Sequence, residues 1–210
     1  MYHFEYVTKK EAAPFKNELI RLINEVQDYV REEYFTFKYY FIGSSSRNMI
    51  TFDPTTNIGF DFDVNIEIND NEERYDPSTI RKVLMDAFSK LGRKYGFNKC
   101  ENSARVFTIK NIDIQHSKIQ NSCDIAVVYN YEGGQQYIRF NKNAGNYYWE
   151  QQKQPYDDIK QREEKLKKTG YWDEVLEVYL DKKNNNNNPD KHSRSLYAET
   201  INECYKRNLG

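Results

Sequence analysis

Asp61 and Asp63 stand two apart in the run Phe60-Asp61-Phe62-Asp63-Val64-Asn65-Ile66-Glu67-Ile68, where apolar and polar side chains alternate without interruption. Alternation with period two marks a half-buried β-strand. Phe60, Phe62, Val64, Ile66 and Ile68 then pack on a core, while Asp61, Asp63, Asn65 and Glu67 line the other face with no basic residue among them. Carboxylates at i and i+2 lie about 6.5 to 7 Å apart along a strand, so both can reach toward one hard-cation site. Mg²⁺ takes one or two carboxylates together with phosphate oxygens. The same pattern also describes a solvated hairpin face, and the pair alone does not separate the two readings.

Two further groups bear on that choice. Tyr39-Tyr40-Phe41-Ile42 runs into Gly43-Ser44-Ser45-Ser46-Arg47, an apolar strand that stops at a glycine followed by three hydroxyls and a cation. Glycine lets a backbone turn sharply and approach an anion closely. The N–H groups that follow can point at phosphate oxygens, and Arg47 adds positive charge; a plain serine-rich loop fits the same letters. Downstream, Asp124 lies inside Cys123-Asp124-Ile125-Ala126-Val127-Val128, a run apolar enough to bury it. An unpaired carboxylate there would cost several kcal/mol, so Asp124 needs a cation, whether a structural Arg or Lys or a metal ion. Asp113, between Ile112 and Ile114, is the rival third carboxylate, but it stands nearer a polar turn.

In this order, a Gly-Ser turn after a strand, an apolar-flanked Asp-x-Asp strand and a later single Asp resemble the DNA polymerase β-like nucleotidyltransferase superfamily. The resemblance spans Gly43 to Val128, under half of the chain. It implies that Gly43 and Ser44 hold the β- and γ-phosphates of a nucleoside triphosphate such as ATP, with Ser45 and Arg47 at the edge of that pocket. It also implies that Asp61, Asp63 and Asp124 are the catalytic carboxylates and ligate two Mg²⁺ ions, with Mn²⁺ as an alternative. Asp124 would bind the second ion and help to deprotonate the acceptor hydroxyl. Two metals about 3.5 to 4 Å apart stabilise the attacking and leaving oxygens of an in-line displacement. Two positions depart from the family pattern: 16 residues separate Ser44 from Asp61, with the turn-like Asp53-Pro54-Thr55-Thr56 among them, and Asn48 follows Arg47 where a glycine is common.

These residues need a sheet to hold them and helices to cover it. Residues 11 to 31 place Phe15, Leu19, Leu22, Ile23, Val26 and Val30 at helical spacing, which predicts an amphipathic helix on the core. A strand from Phe35 to Ile42 leads into the Gly43 turn, and the Asp61 strand ends near the acidic stretch 69–73. A second helix opens at Pro77-Ser78 with Ser78 as N-cap, burying Ile80, Val83, Leu84, Ala87, Phe88 and Leu91. Strands follow at about Arg105 to Ile112 and Cys123 to Tyr131, joined by a polar segment containing His116 and Asn121. Glu132-Gly133-Gly134-Gln135 predicts a turn into Tyr137-Ile138-Arg139-Phe140, with Tyr147-Tyr148-Trp149 on a hairpin or packed at the surface. Helices are expected over residues 156 to 169, around Trp172 to Tyr179, and through Leu196 to Tyr205. The Asn184 to Asn188 tract, closed by Pro189, reads as a flexible loop. Within the resemblance, Tyr197 or Lys191 would contact nucleotide.

The expected fold class is therefore α/β of the mixed α+β kind: a small mixed β-sheet nucleotidyltransferase core backed by helices, with a C-terminal helical extension. Residues 1–131 would form the catalytic core and 132–210 a hairpin and helical extension packed on it. With 31 basic and 32 acidic residues, the chain has no electrostatic footprint for extensive nucleic-acid binding. Aromatic residues make up 15% of it, enough large side chains to build a core despite modest overall hydrophobicity. Cys100, Cys123 and Cys204 have no paired spacing, and His3, His116 and His192 have no zinc spacing. Neither a signal peptide nor an apolar run of membrane-spanning length is present, so a cytoplasmic enzyme with no membrane partner is expected. Its partners would be a nucleoside triphosphate and an unidentified acceptor: a small molecule, nucleotide, protein or RNA end. The alternative is a catalytically silent nucleotide-binding or protein-interaction module on the same fold.

Overall fold

The structure, a computed structural model, describes residues 3–70, 73–152, 157–188 and 190–210. In chain order its elements are β1 (Glu5–Tyr6), α1 (Lys9–Glu33), β2 (Thr36–Ile42), the one-turn helix α2 (Gly43–Arg47), β3 (Thr51–Phe52), β4 (Phe60–Asn69) and α3 (Pro77–Leu91). A 3-10 turn (Gly92–Tyr95) leads to β5 (Glu101–Asn102), β6 (Phe107–Asp113), β7 (Lys118–Tyr131), β8 (Gly134–Asn141) and β9 (Asn146–Gln151). Helices α4 (Asp157–Lys168), α5 (Trp172–Asn184) and α6 (Ser193–Leu209) follow. Two compact units result: one of Val7–Ile50 and Thr56–Gln152, the other of Met1–Tyr6, Thr51–Thr55 and Lys153–Gly210.

The larger unit is a mixed α+β sheet structure. Its strands run in the order β2-β4-β7-β6-β5, with β8 added on β7 and β9 on β8. β4 and β7 are parallel, and the other named pairs are antiparallel. The alternation in β4 does what its period requires, since Phe60, Phe62, Val64, Ile66 and Ile68 are all buried. Against that core lie Leu19, Leu22, Ile23, Val26 and Val30 of α1, five fully buried side chains each contributing about 2 kcal/mol of hydrophobic stabilisation. Thr8 and Glu11 form a reciprocal capping box at the start of α1. At α3 the cap is Asp76 rather than Ser78: its carboxylate accepts from the N–H groups of Ser78 (2.9 Å) and Thr79 (3.1 Å). Pro77 occupies the first turn, where its missing N–H costs nothing.

β7 begins at Lys118, five residues before the expected strand start at Cys123. Its polar first half is held on both sides, by β4 (Phe60↔Asn121, Asp61↔Ser122) and by β6 (Lys110↔Ser122, Asn111↔Asn121). Satisfied backbone ladders on two edges outweigh side-chain propensity, which is context-dependent in sheets. The expected polar connection therefore shrinks to a turn between Asp113 and Lys118. Beyond Tyr131, β8 and β9 extend the same sheet as a hairpin through Val128↔Tyr137 and Ile138↔Trp149.

In the smaller unit α4, α5 and α6 bury Leu166, Val175, Tyr179, Leu196, Tyr197, Ile201 and Cys204, while β1 pairs with β3. The extra length between Ser44 and Asp61 supplies β3 and a turn in which Asp53 is buried, accepting hydrogen bonds from the backbone N–H groups of His3 (3.0 Å) and Thr55 (2.9 Å). Tyr197 packs edge-on against Tyr179 at 6.1 Å, and Lys191 pairs with Glu199 at 2.7 Å. Parts of three expected segments, at Asn71, Glu72, Tyr156 and Pro189, lie outside the described residues. No helix among the described residues is long and apolar enough to cross a membrane.

Candidate active site

Register places the carboxylates. In the parallel pair β4–β7, Asp63 is the partner of Asp124 and Asp61 the partner of Ser122. Paired residues on neighbouring strands point to the same face about 4.8 Å apart, so Asp61, Asp63 and Asp124 share the sheet face opposite the Phe60–Ile68 core. On the far side of β7, Thr108 of β6 is the partner of Asp124. On the far side of β4, Ile42, the last residue of β2, is the partner of Asp63. Asp113 is at the end of β6, paired with Lys118 and bound to the backbone N–H of His116 (3.2 Å). It belongs to the β6–β7 turn and is not one of the three.

The register that pairs Ile42 with Asp63 brings the Gly43 turn to the same place. Gly43 has φ +62°, and a Cβ at that position would lie 2.5 Å from Asp63 Oδ2; only a residue without a side chain lets the turn come so near the carboxylate. α2 has no side-chain cap, so its first N–H groups have no partner within the helix and are donors for an anion. Ser45 is buried; its hydroxyl donates to Ile42 O at 2.7 Å and lies 3.5 Å from Asp63 O, which ties the turn to β4. Ser46 closes the turn on Gly43 O at 2.9 Å. Asn48 ends α2 in the left-handed conformation, φ 57° and ψ 40°. Asparagine tolerates that region better than other side chains, so its substitution for glycine preserves the backbone path.

Electrostatics single out Asp63. Burial, then the negative charges of Asp124 and Asp61, push its carboxyl up to about 6, against an opposing pull from the Arg47 guanidinium. Like charges gathered in a partly buried place raise a carboxyl in this way when no cation fully offsets them. The two outer carboxylates are each tied to a hydroxyl: Thr108 Oγ1 donates to Asp124 Oδ1 at 2.5 Å, and Ser122 Oγ donates to Asp61 Oδ1. Among the described residues, no three acidic, imidazole or thiol side chains close up as a metal cluster. The donor set nevertheless fits a hard divalent cation: every side-chain donor is a carboxylate or hydroxyl oxygen, and the charge of Arg47 falls short of balancing the carboxylates around Asp63.

Thr108 and Ser122 were not among the residues singled out from the sequence. Each carries a signal nonetheless: Thr108 lies between the apolar Phe107 and Ile109, and Ser122 stands two residues before Asp124. Alternation alone puts each on the polar face of its strand.

The mixed sheet with Asp-x-Asp on one strand, a third Asp abreast on the parallel neighbour and a glycine turn leading in from the antiparallel edge has a fold shared with solved structures. Solved structures of the same fold include the Vibrio cholerae cyclic AMP-GMP synthase DncV with nonhydrolyzable GTP, 18% identical over 92% of this chain with a TM-score of 0.58. The same enzyme with the linear intermediate pppA(3′,5′)pG is 17% identical over 92% of the chain at a TM-score of 0.57. Its GTP-bound form is 18% identical over 98% of the chain, also at 0.57. The chain spans about half the length of these structures, 52–53%. No protein-family model and no curated protein sequence matches it.

Proposed function

We propose that this chain is a metal-dependent nucleotidyltransferase core that moves a nucleoside monophosphate from a nucleoside triphosphate to an acceptor hydroxyl and releases pyrophosphate. The observation that carries the reading is the pairing of Asp63 with Asp124, with Asp61 on the same face and the Gly43 turn against Asp63. In the transfer, the acceptor oxygen bonds to the α-phosphorus as the α–β bridging bond breaks. Pyrophosphate leaves with that electron pair, and the hydroxyl proton passes to Asp124. Gly43, Ser44 and Arg47 hold the β- and γ-phosphates, through N–H groups and the guanidinium, while Ser45 fixes the turn from within. Asp61, Asp63 and Asp124 would hold Mg²⁺, which when bound would neutralise phosphate charge and acidify the attacking hydroxyl. The residues act mainly by positioning the reactants and stabilising charge, which together supply most of the rate in phosphoryl-type transfer.

DncV binds GTP and a linear dinucleotide intermediate, so a nucleotide hydroxyl is the first acceptor to test. Binding is tested by thermal unfolding with each nucleoside triphosphate and Mg²⁺. At about 100 times Kd, the preferred nucleotide stabilises the fold by about 2.7 kcal/mol, an effect that EDTA removes. No shift with any nucleotide would leave the carboxylates as a structural feature and overturn the proposal.

A further inference from the structure

We propose, resting on the nucleotidyltransferase reading above, that Thr108 and Ser122 are positioning residues whose hydroxyls hold Asp124 and Asp61 in their metal-ligating orientations. The site face is built in two rows across the strands. One row is Ile42, Asp63, Asp124 and Thr108; the next is Asp61, Ser122 and Lys110. Asp124 therefore stands between a carboxylate that repels it and a hydroxyl that attracts it. With no tether its side chain would turn away from Asp63, and a cation would have to gather the ligands as it bound. The Thr108 bond to Asp124 Oδ1 at 2.5 Å sets the carboxylate's rotation and commits one oxygen. A carboxylate offers about four lone-pair directions over two oxygens, so the other oxygen stays available to a metal ion.

Ser122 sets the rotation of Asp61 from β7. It is buried, 6% exposed, and its single O–H donates to Asp61 Oδ1. Withdrawn from water, that hydroxyl has a strong reason to keep the bond, since a buried donor left unmade costs about 1–3 kcal/mol. Thr108 is held differently. Its β-branched side chain restricts χ1, and its strand position abreast of Asp124 aims the hydroxyl along the row. Lys110, next in the second row, does not compete for Asp61, because its ammonium pairs with Glu101 at 2.5 Å. Each outer ligand is thus oriented from the β7–β6 side, while the central Asp63 lies against the Gly43 turn. Such orienting partners are worth 10–100-fold in metal affinity.

The test is a Mn²⁺ titration of the full chain, with free ion read by electron paramagnetic resonance, for wild type, Thr108→Val, Thr108→Ser and Ser122→Ala. Circular dichroism verifies the fold of each. The expected result is Mn²⁺ binding 10–100-fold weaker in Thr108→Val and Ser122→Ala, and within about threefold of wild type in Thr108→Ser. A role confined to stability would move the melting temperature and leave the folded protein's Mn²⁺ affinity alone. Affinities in Thr108→Val and Ser122→Ala within about twofold of wild type would overturn the inference while leaving the nucleotidyltransferase reading intact. If Thr108→Val does not fold, Ser122→Ala and Thr108→Ser decide. A Thr108→Ser protein as weak as Ser122→Ala would show that packing of the methyl, not the hydroxyl, matters at Thr108, and would overturn the inference there. A wild type that binds no Mn²⁺, alone or with a nucleoside triphosphate present, would overturn both readings.

Discussion

Asp63→Asn is expected to abolish turnover and at the same time to stabilise the metal-free fold at neutral pH. Asp63 is the central carboxylate, beside Asp124 and against the Gly43 turn, and a neutral amide is a weaker Mg²⁺ ligand than a carboxylate. A loss of about three orders of magnitude in kcat corresponds to about 4 kcal/mol of transition-state stabilisation. The stability effect has the opposite sign. The folded protein holds the Asp63 carboxyl up to about 6, through burial and then the charges of Asp124 and Asp61, whereas the unfolded chain has the ordinary value near 3.9. Between those values the native state binds more protons than the unfolded state, so stability falls as pH rises through the window. At pH 7 the metal-free wild type has lost stabilisation on the order of 2 kcal/mol relative to pH 4 from this group alone. The Asn variant lacks that dependence. Urea unfolding in EDTA at pH 5 and pH 7.5 reads the difference directly: the gap between the two pH values should narrow in Asp63→Asn. An unchanged gap, or wild-type turnover in the variant, contradicts the electrostatic account of this site.

Gly43→Ala should be nearly as damaging to activity for a steric reason. The added methyl would stand 2.5 Å from Asp63 Oδ2 and 3.3 Å from its Cγ, so either the turn or the carboxylate must move. A displacement near 1 Å costs about 100-fold in a positioned reaction. The left-handed conformation adds about 1–2 kcal/mol of strain for any L side chain. Gly145→Ala separates the two effects, because Gly145 has φ +65° with nothing within 4 Å of the new methyl. Both variants should lose stability in urea, Gly43→Ala at least as much as Gly145→Ala, and Gly43→Ala alone should lose about 100-fold or more in turnover. Equal activity in the two would mean that contact between the turn and Asp63 has no functional role.

What could be seen in the sequence was what depends on local pattern. The unbroken alternation at 60–68 marked β4 and both of its faces, and helical spacing marked α1 and α3. The glycine after Ile42 marked the turn. What stayed hidden depends on partners far away in the chain. The first half of β7 is polar and becomes strand because β4 and β6 pair with it on both sides. Arg81 is fully buried on α3, with its guanidinium bound to Asn102 Oδ1 at 3.0 Å and Ser103 O at 3.3 Å; no helical period distinguishes it from a solvated arginine. The Asp76 cap competed with Ser78 two positions on, and proline at the first helical residue decided it. At the site, the types of the three carboxylates were legible, but the row that sets Thr108 beside Asp124 exists only once the register of β6 on β7 is known.

The most direct test of the central claim is pyrophosphate release from each α-labelled nucleoside triphosphate with Mg²⁺ and a mixed nucleotide acceptor pool, comparing wild type with Asp63→Asn. Pyrophosphate is expected from the wild type, with label transferred to product in equal amount, and neither from the variant. Release at the same rate by both proteins, or none from the wild type with any nucleotide, would contradict it.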